Sequence, residues 1–157
     1  MNRLSCKLHK SRYSMDFYPA LSIDGLPLEI WLPQYDPNAE HDLVCAHAGL
    51  YSDEDSALIW DRSYSVAPGW QTVVPLLVCP DDLDLSCTVI AVQQVADERT
   101  VRWERFGLLR ELVTHPNPIP EFYDIPVAVF DRDQYIAALD DMRREIGLRM
   151  EWDPPDH

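Results

Sequence analysis

The chain has 157 residues, of which 46% are hydrophobic and 10% aromatic, and it carries a formal net charge of −14 at pH 7. This length fits one ordinary domain with a real core, and the composition excludes an intrinsically disordered chain. No apolar run approaches the ~20 residues that span a bilayer, and the N-terminal segment lacks the apolar centre of a secretory signal. We therefore expect a folded cytoplasmic protein.

The charge is spread unevenly along the chain. Residues 1–15 carry four Lys/Arg and no acids, whereas residues 16–98 carry fifteen Asp/Glu against the single base Arg62. Such a surface repels phosphates and anionic lipids, so we expect neither nucleic acid nor a membrane as a partner. A basic protein is the expected partner, because an acidic surface speeds its association. The alternative is that the acidity only maintains solubility.

The N-terminal part of the chain predicts a basic, flexible lead-in over residues 1–15, with Met15 as an alternative start. The first structural segment after it is a hairpin. Apolar segments lie on both sides of Asp24 and Gly25, and an Asp-Gly pair in this setting favours a two-residue β-turn. Pro27 leaves either a strand or a helical turn open for the segment that follows the turn.

The middle of the chain predicts antiparallel strands that form two hairpins. The predicted strands are residues 57–65, 72–79, 87–95 and 100–106. The first alternates with Leu58 and Trp60 on one face, and the next two are rich in β-branched residues, which fit a pleated surface. Pro75 requires a bulge or an edge position, because it donates no hydrogen bond to a neighbouring strand.

The end of the chain predicts a proline-rich connection, a last short strand and one helix. Residues 112–126 contain four prolines and should be extended, and residues 127–130 form the strand. Asp131 is a candidate N-cap, with Gln134 three residues later as in a capping box, and Gly147 ends the helix. The apolar stripe that we expect to be buried is formed by Tyr135, Ile136, Leu139, Met142 and Ile146.

Four cysteines, at positions 6, 45, 79 and 87, are expected to be reduced thiols, since no export signal is visible. The last two bracket Asp81, Asp82 and Asp84, whose oxygens are ligands that hard cations prefer. Their spacing, however, fits neither a calcium loop nor a zinc site. We therefore interpret the three acids as solvated turn residues and expect no metal and no cofactor.

Acid–base and nucleophilic residues raise the alternative of an enzyme. Cys45 and His47 lie close together in the sequence, and His115 and Asp53 are further candidates. The runner-up function is therefore a hydrolase or metal-dependent enzyme that uses Cys45, His47 or the turn at 79–87. Neither a nucleophile elbow nor a phosphate-binding glycine loop is present, so we expect that the protein is not an enzyme.

Partner-binding residues are predicted from charge and from the tryptophans. Most of the five tryptophans should pack in the core, but Trp70, beside a Pro-Gly turn, and Trp152, near the end, are expected to be exposed, where tryptophan can anchor a protein partner. Two acidic clusters on loops are the other candidates, because loops on a rigid sheet often bind. The clusters are Asp53, Glu54 and Asp55, before the 57–65 strand, and Asp81, Asp82 and Asp84, in the central turn.

A family resemblance rests on five pieces in succession: Asp24-Gly25, the turn Cys79–Asp82, the Cys-Thr-Val-Ile strand from Cys87, Trp103-x-Arg105-Phe106-Gly107, and Phe130-Asp131-x-x-Gln134-Tyr135. Over roughly residues 16–146 this succession resembles small, acidic bacterial proteins of the immunity type. These are typically encoded beside polymorphic or contact-delivered toxins. The resemblance implies a non-catalytic inhibitor that covers the active site of one toxin, and it transfers no partner-contacting residue to this chain.

The sequence thus predicts a single α+β domain over residues 16–150, with a flexible tail at 151–157. Its core element is a mostly antiparallel sheet of five to seven strands, covered on one face by the C-terminal helix. The predicted function is a protein-binding module of the immunity type that neutralises a cognate, basic toxin.

Overall fold

The computed structural model describes residues 1–10, 16–35, 43–80, 83, 85, 88–109 and 120–153. Within them the predicted α+β fold is confirmed, with antiparallel sheets and a C-terminal helix. The strands form two sheets, however, of three and six strands, where a single sheet was expected.

The first sheet is built from the N-terminal part of the chain. Its strands, in spatial order, are β1 (Leu4–His9), β2 (Tyr18–Ile23) and β3 (Leu26–Pro27). The predicted turn joins β2 to β3, and Asp24 and Gly25 both have positive φ, 51° and 86°, as a two-residue hairpin turn requires. The Asp24 carboxylate also accepts a hydrogen bond of 2.8 Å from the backbone amide of Arg3, which ties the turn to the start of β1.

The prediction of a flexible lead-in is wrong for β1. This strand pairs with β2 along its whole length, and Leu4 is fully buried. Basic composition is compatible with a strand because successive side chains point to opposite faces. The exposed Arg3 and Lys7 lie at odd positions, whereas Leu4 and the half-buried Cys6 lie at even ones. Residues 11–15 lie outside the described part of the chain.

The second sheet contains the remaining strands. They are β4 (Val44–Cys45), β5 (Gln71–Val78), β6 (Val89–Ala96), β7 (Thr100–Leu109), β8 (Pro120–Phe122) and β9 (Ala128–Asp131), and the last two both pair with β7. The strands predicted at 72–79, 87–95 and 100–106 are confirmed as β5 to β7. The pairing of β5 with β6 shifts register between Pro75 and Leu77, which is the irregularity that Pro75 predicts.

The strand predicted at 57–65 is wrong, because this segment belongs to helix α2 (Asp53–Ser63). Ser52 is its N-cap, with Oγ accepting a 3.3 Å hydrogen bond from the amide of Asp55. Acids in the first turn favour the helix further, since they face the positive end of its dipole. The residues that α2 buries, Ile59, Trp60 and Ser63, have helical rather than alternating spacing.

Pro27 left either a strand or a helical turn possible for the segment after the hairpin turn, and most of this segment is helical. It forms a short helix, α1 (Leu28–Trp31), and then a 3-10 turn (Leu32–Gln34). Pro27 stands at the N-cap of α1, where its missing N–H costs little. Helix α1 carries Glu29 into the interior, with only 9% of that residue exposed.

Helix α3 (Arg132–Ile146) begins and ends as predicted. The Asp131 carboxylate accepts a 3.0 Å hydrogen bond from the Gln134 amide, and Gly147 closes the helix with a left-handed φ of 71°. The side chain of Gln134 does not complete a capping box. Its Oε1 accepts a 3.0 Å hydrogen bond from the Leu4 amide and its Nε2 donates to the Leu4 carbonyl, so α3 is bonded directly to β1.

One apolar core joins the two sheets to the helices. Its larger members are Leu4, Leu21, Trp31, Trp60, Trp103, Phe106, Phe130, Tyr135, Leu139 and Met142. Three residues of the predicted α3 stripe are therefore fully buried, and Ile136 and Ile146 pack at its margin. Helix α3 contacts β1 and β2 most and also reaches β7 and β9, so it covers the first sheet and links it to the second.

A buried polar network crosses this core at Gln94, which is fully buried on β6. Its Oε1 accepts hydrogen bonds from Trp103 Nε1 (2.9 Å) and from the Tyr135 hydroxyl (2.6 Å). Its Nε2 donates to carbonyls at the end of α2, including that of Ser63 (3.3 Å). One side chain therefore holds β7, α3 and the C-terminus of α2 together.

The residues after α3 fold back onto it. Arg143 is buried, and its guanidinium donates to both carboxylate oxygens of Asp153, 3.1 Å to Oδ1. Arg143 Nε also donates to the Tyr64 hydroxyl (2.7 Å), and Trp152 packs edge-on against the Tyr64 ring. A flexible tail was predicted to start at residue 151, but residues 151–153 are held by these contacts. Residues 154–157 lie outside the described part.

Candidate functional site

The first predicted cluster of partner-binding acids lies in the first turn of α2, not on a loop. Asp53 and Glu54 are exposed and Asp55 is half-buried. None of the three forms an ion pair with another residue that the structure describes. The capped helix therefore presents two unpaired carboxylates to solvent from a rigid element.

Tyr51 is a surface residue beside this cluster that the sequence did not single out. Three quarters (75%) of it is exposed, although aromatic side chains usually bury most of their area. Its backbone amide donates a 3.1 Å hydrogen bond to the carbonyl of Leu83. A tyrosine directly before a Ser-Asp-Glu-Asp helix start is the signal that could have identified it.

The second predicted cluster, Asp81, Asp82 and Asp84, lies outside the described residues. Leu83, which is described, stands between two of these acids in the sequence. Leu83 packs against an apolar cluster that contains Ile59 of α2, in addition to its bond with Tyr51. The connection between β5 and β6 is therefore attached, at Leu83, to Tyr51 just before α2 and to the apolar cluster that Ile59 of α2 joins.

Trp70 is exposed as predicted, with 60% of its surface accessible. It precedes β5, whereas Leu83 follows the other end of that strand. A strand of this length spans about 25 Å. The structure therefore does not bring Trp70 together with the acids of α2, and these residues cannot form one compact contact surface.

Cys45 and His47, the residues proposed for an enzyme, are both buried. His47 Nε2 lies 2.7 Å from Ser63 Oγ, and the Ser63 hydroxyl donates to the carbonyl of Ile59. With the serine proton on the Ile59 carbonyl, Ser63 Oγ is left as an acceptor, and this arrangement calls for the Nε2–H tautomer of His47. Burial lowers the pKa of His47 to about 3, so its ring is neutral.

These contacts give His47 and Ser63 a structural role. Both side chains are sealed inside the fold, Ser63 completely, so no substrate reaches this pair. Burial also raises the pKa of the Cys45 thiol to about 12, with the nearby Glu29 as the second cause, and a thiol in that state is a poor nucleophile. Cys6, Cys45 and Cys79 are free thiols. Cys87 and His115 lie outside the described residues.

A cluster of titratable groups that the sequence did not reveal surrounds Glu29. Its Oε2 accepts a 2.8 Å hydrogen bond from the Tyr18 hydroxyl and lies 3.0 Å from His9 Nε2. Its Oε1 has no hydrogen-bonding partner among the described residues. Burial raises the pKa of Glu29 to about 7 and lowers that of His9. Glu29 was unforeseen because a lone acid between apolar residues gives no signal of its burial.

Two further findings concern metal sites and membrane-spanning helices. Within the described ranges, no group of three or more His, Cys, Asp or Glu side chains is arranged to hold a metal ion. No helix in the same part of the chain is long and apolar enough to cross a membrane.

Comparisons with protein-family models, with curated proteins and with solved structures find no match to this chain.

Proposed function

We propose that the chain is a non-catalytic protein-binding module of the immunity type, which acts in the cytoplasm and neutralises a basic toxin by binding it. The observation that carries the proposal is the exposed charge of Asp53 and Glu54 at the start of α2, with which no described residue forms an ion pair. The wider charge distribution supports it, because fifteen acids stand against one base in residues 16–98. An acidic field of this kind steers a basic partner during encounter.

Tyr51 supplies the apolar contact that a charged surface alone lacks. Interfaces derive most of their affinity from a few aromatic or arginine residues surrounded by a polar rim. An exposed tyrosine next to two exposed carboxylates has that composition. We therefore assign the main contact to Tyr51, Asp53 and Glu54, and we include Asp81, Asp82 and Asp84 because Leu83 is bonded to Tyr51.

The enzyme alternative is weakened for two of its named residues, Cys45 and His47, whereas most of the turn at 79–87 lies outside the described residues. Cys45 and His47 are buried, and the serine that meets His47 donates its proton to a backbone carbonyl. A general base must reach the proton that it removes from a substrate. No observation in the described residues favours a hydrolase that uses this pair.

The experiment measures association with the protein encoded beside the gene of this chain. We would neutralise Asp53, Glu54 and Asp55 in one variant, to Asn or Gln, and Asp81, Asp82 and Asp84 in a second. The matched control neutralises three other exposed acids, Glu98, Asp124 and Glu151, and so changes net charge equally. Rates are measured at low salt and at about 1 M salt, where the screening length is about 3 Å.

We expect association at low salt to slow about tenfold for at least one cluster variant and less for the control, because steering depends on where the charge lies. The difference should vanish at high salt. Tyr51→Ala should instead speed dissociation at both salt concentrations. If the parent does not bind the neighbouring gene product, or if both cluster variants bind as the control does, the proposal fails.

A further inference from the structure

In the described part of the chain, the edge of β1 that faces away from β2 has hydrogen-bonding partners at only some of its residues. At one end, the Asn2 amide donates a 2.7 Å hydrogen bond to the Val129 carbonyl, and the Val129 amide donates to the Asn2 side chain (2.9 Å). At the next position, the Gln134 side chain bonds both backbone groups of Leu4. The first two outward positions are thus satisfied by β9 and by α3.

The next two outward positions are Cys6 and Leu8. Backbone groups in an antiparallel pair point alternately toward and away from the partner strand, so Cys6 and Leu8 face the same side as Leu4. Pro19 lies opposite Leu8 and has no N–H to donate. It therefore fits a position where the two opposite residues exchange no backbone hydrogen bonds, which agrees with this register. No described residue bonds the backbone of Cys6 or Leu8 on this side.

A groove of about 470 Å³ runs along this open edge, between β1 and α3. Cys6 and Leu8 line one wall, and Ala137, Ala138, Asp141 and Glu145 of α3 line the other. The two alanines leave room for a further backbone. The side chain of Leu8 is 68% exposed, although it lies beside apolar residues of the groove.

The charged residues that line the groove are Asp141, Arg144 and Glu145 of α3 and Arg3 before β1. Asp141 is paired with Arg144, but Glu145 forms no ion pair with any described residue. Burial, and then the charges of Glu145 and Asp141, raise the pKa of the Cys6 thiol to about 11. The charge of Glu145 therefore acts on the strand edge at Cys6.

We propose that this groove binds an extended segment of a basic partner protein, which pairs with Cys6 and Leu8 as an added strand of the first sheet. An open strand edge beside a helix offers main-chain hydrogen bonds for affinity and pockets for alternate side chains. Glu145 selects a Lys or Arg of the segment, and the alanine side of the groove takes a small apolar residue. The inference rests on the proposed function in one respect, namely that the partner is a basic protein.

A second copy of this chain is the less suitable occupant of the groove. Each copy carries a net charge of −14, so two copies repel one another. β1 also carries Lys7, and charged residues on an edge strand discourage pairing between identical edges. A basic segment avoids the first of these obstacles, because the net charge of −14 attracts it.

The first test uses a synthetic probe, the acetylated and amidated heptapeptide Lys-Val-Lys-Ala-Lys-Val-Lys, observed by NMR with the full chain. We expect the Cys6 and Leu8 amides to shift and their hydrogen exchange to slow at least about tenfold, while the Lys7 amide, which faces β2, changes little. The control peptide has the same sequence with alternate backbone nitrogens methylated. It keeps the charge but cannot pair, and we expect no protection from it.

Two variants at Leu8 distinguish the contribution of its backbone N–H to peptide binding from that of its side chain. Leu8→Pro removes the outward N–H without removing a bond to β2, and Leu8→Ala keeps that N–H. We expect Leu8→Pro to abolish protection and Leu8→Ala to retain it, with thermal melts confirming that both variants fold. Glu145→Gln should weaken peptide binding and flatten its salt dependence.

Three results would overturn the proposal. The first is a peptide that leaves the Cys6 and Leu8 amides unchanged, and the second is equal binding by Leu8→Pro and the parent. The third is a concentration-dependent dimer of the parent, seen in sedimentation and lost in Leu8→Pro, since a second copy would then occupy the groove.

Failure of this inference is distinguishable from failure of the proposed function. If the parent and Leu8→Pro bind the neighbouring gene product equally, the groove is not the site, but the module function stands. If the parent does not bind that product at all, the proposed function fails, and the peptide result alone decides whether the groove accepts a strand.

Discussion

The side chain of Gln134 takes the place of a neighbouring strand at Leu4, accepting a hydrogen bond from its amide and donating one to its carbonyl. Leu4 is fully buried, so water cannot replace these bonds. We expect Gln134→Ala to lower the free energy of unfolding by about 2–4 kcal/mol, because two buried backbone groups lose their partner. Denaturant unfolding measures the change.

A matched substitution sharpens this prediction. Gln134→Glu keeps an oxygen acceptor for the Leu4 amide but loses the donor to the Leu4 carbonyl. It should destabilise the fold at neutral pH and recover part of that loss in acid, where a protonated carboxyl can donate. If Gln134→Ala were as stable as the parent, the bonds to Leu4 would contribute nothing.

Packing of α3 gives a second prediction. Leu139 and Met142 are both fully buried, so Leu139→Ala and Met142→Ala should each destabilise the domain by about 2–5 kcal/mol through lost contacts and a cavity. Asp133→Ala, at an exposed position of the same helix, serves as control and should cost less than about 1 kcal/mol. Thermal melts in which all three variants unfold together would contradict the observed orientation of α3.

The ion pair of Arg143 with Asp153 gives a third prediction. Asp153→Asn leaves the charge of a buried arginine without its closest partner, and we expect a loss of about 3 kcal/mol. Glu151→Gln, an exposed acid two residues earlier, is the control and should change stability little. Equal unfolding midpoints in urea for both variants would show that the residues after α3 contribute nothing to stability.

Glu29 makes stability depend on pH. Its pKa is about 7 in the folded chain against an ordinary 4.5, so the folded state holds a proton that the unfolded state releases between these values. Its contribution to stability is therefore complete below pH 4.5 and is lost as the pH rises to 7. One pKa unit corresponds to about 1.4 kcal/mol, so the loss is about 3 kcal/mol.

The variant Glu29→Gln isolates this effect. The stability of the variant relative to the parent should rise by about 3 kcal/mol between pH 4.5 and pH 7, measured by denaturant unfolding. His9, whose pKa is lowered by burial, has the opposite dependence below pH 6.5, but it is present in both proteins. A difference that stays constant across this range would mean that Glu29 titrates normally.

Local signals in the sequence predicted much of the fold. The turn at Asp24 and Gly25, the N-cap Asp131 and the stop at Gly147 each depend on a few adjacent residues, and the structure contains all three. The central strands β5 to β7 were also visible, because β-branched runs and Pro75 reflect local backbone preferences. These features need no knowledge of distant contacts.

The wrong predictions relied on patterns that helices and strands share, or concerned residues whose surroundings come from distant parts of the chain. The alternation of Leu58 and Trp60 is typical of a strand, while the helix signal, Ser52 followed by three acids, is equally typical of a surface loop. The sequence also did not predict the exposure of Tyr51 or the burial of Glu29. Both depend on which residues pack beside these side chains. The open groove depends on α3 approaching β1 across more than 100 residues of sequence.

The outward bonds of β1 also constrain the order in which the chain can fold during synthesis. Residues 2 and 4 are synthesised long before their partners, Val129 and Gln134. Until then the edge of β1 lacks the partners that Val129 and Gln134 supply, and bare strand edges invite wrong pairing. The nascent protein therefore depends on residues 129–134 to cover the start of β1, so products truncated before residue 129 should be prone to aggregate.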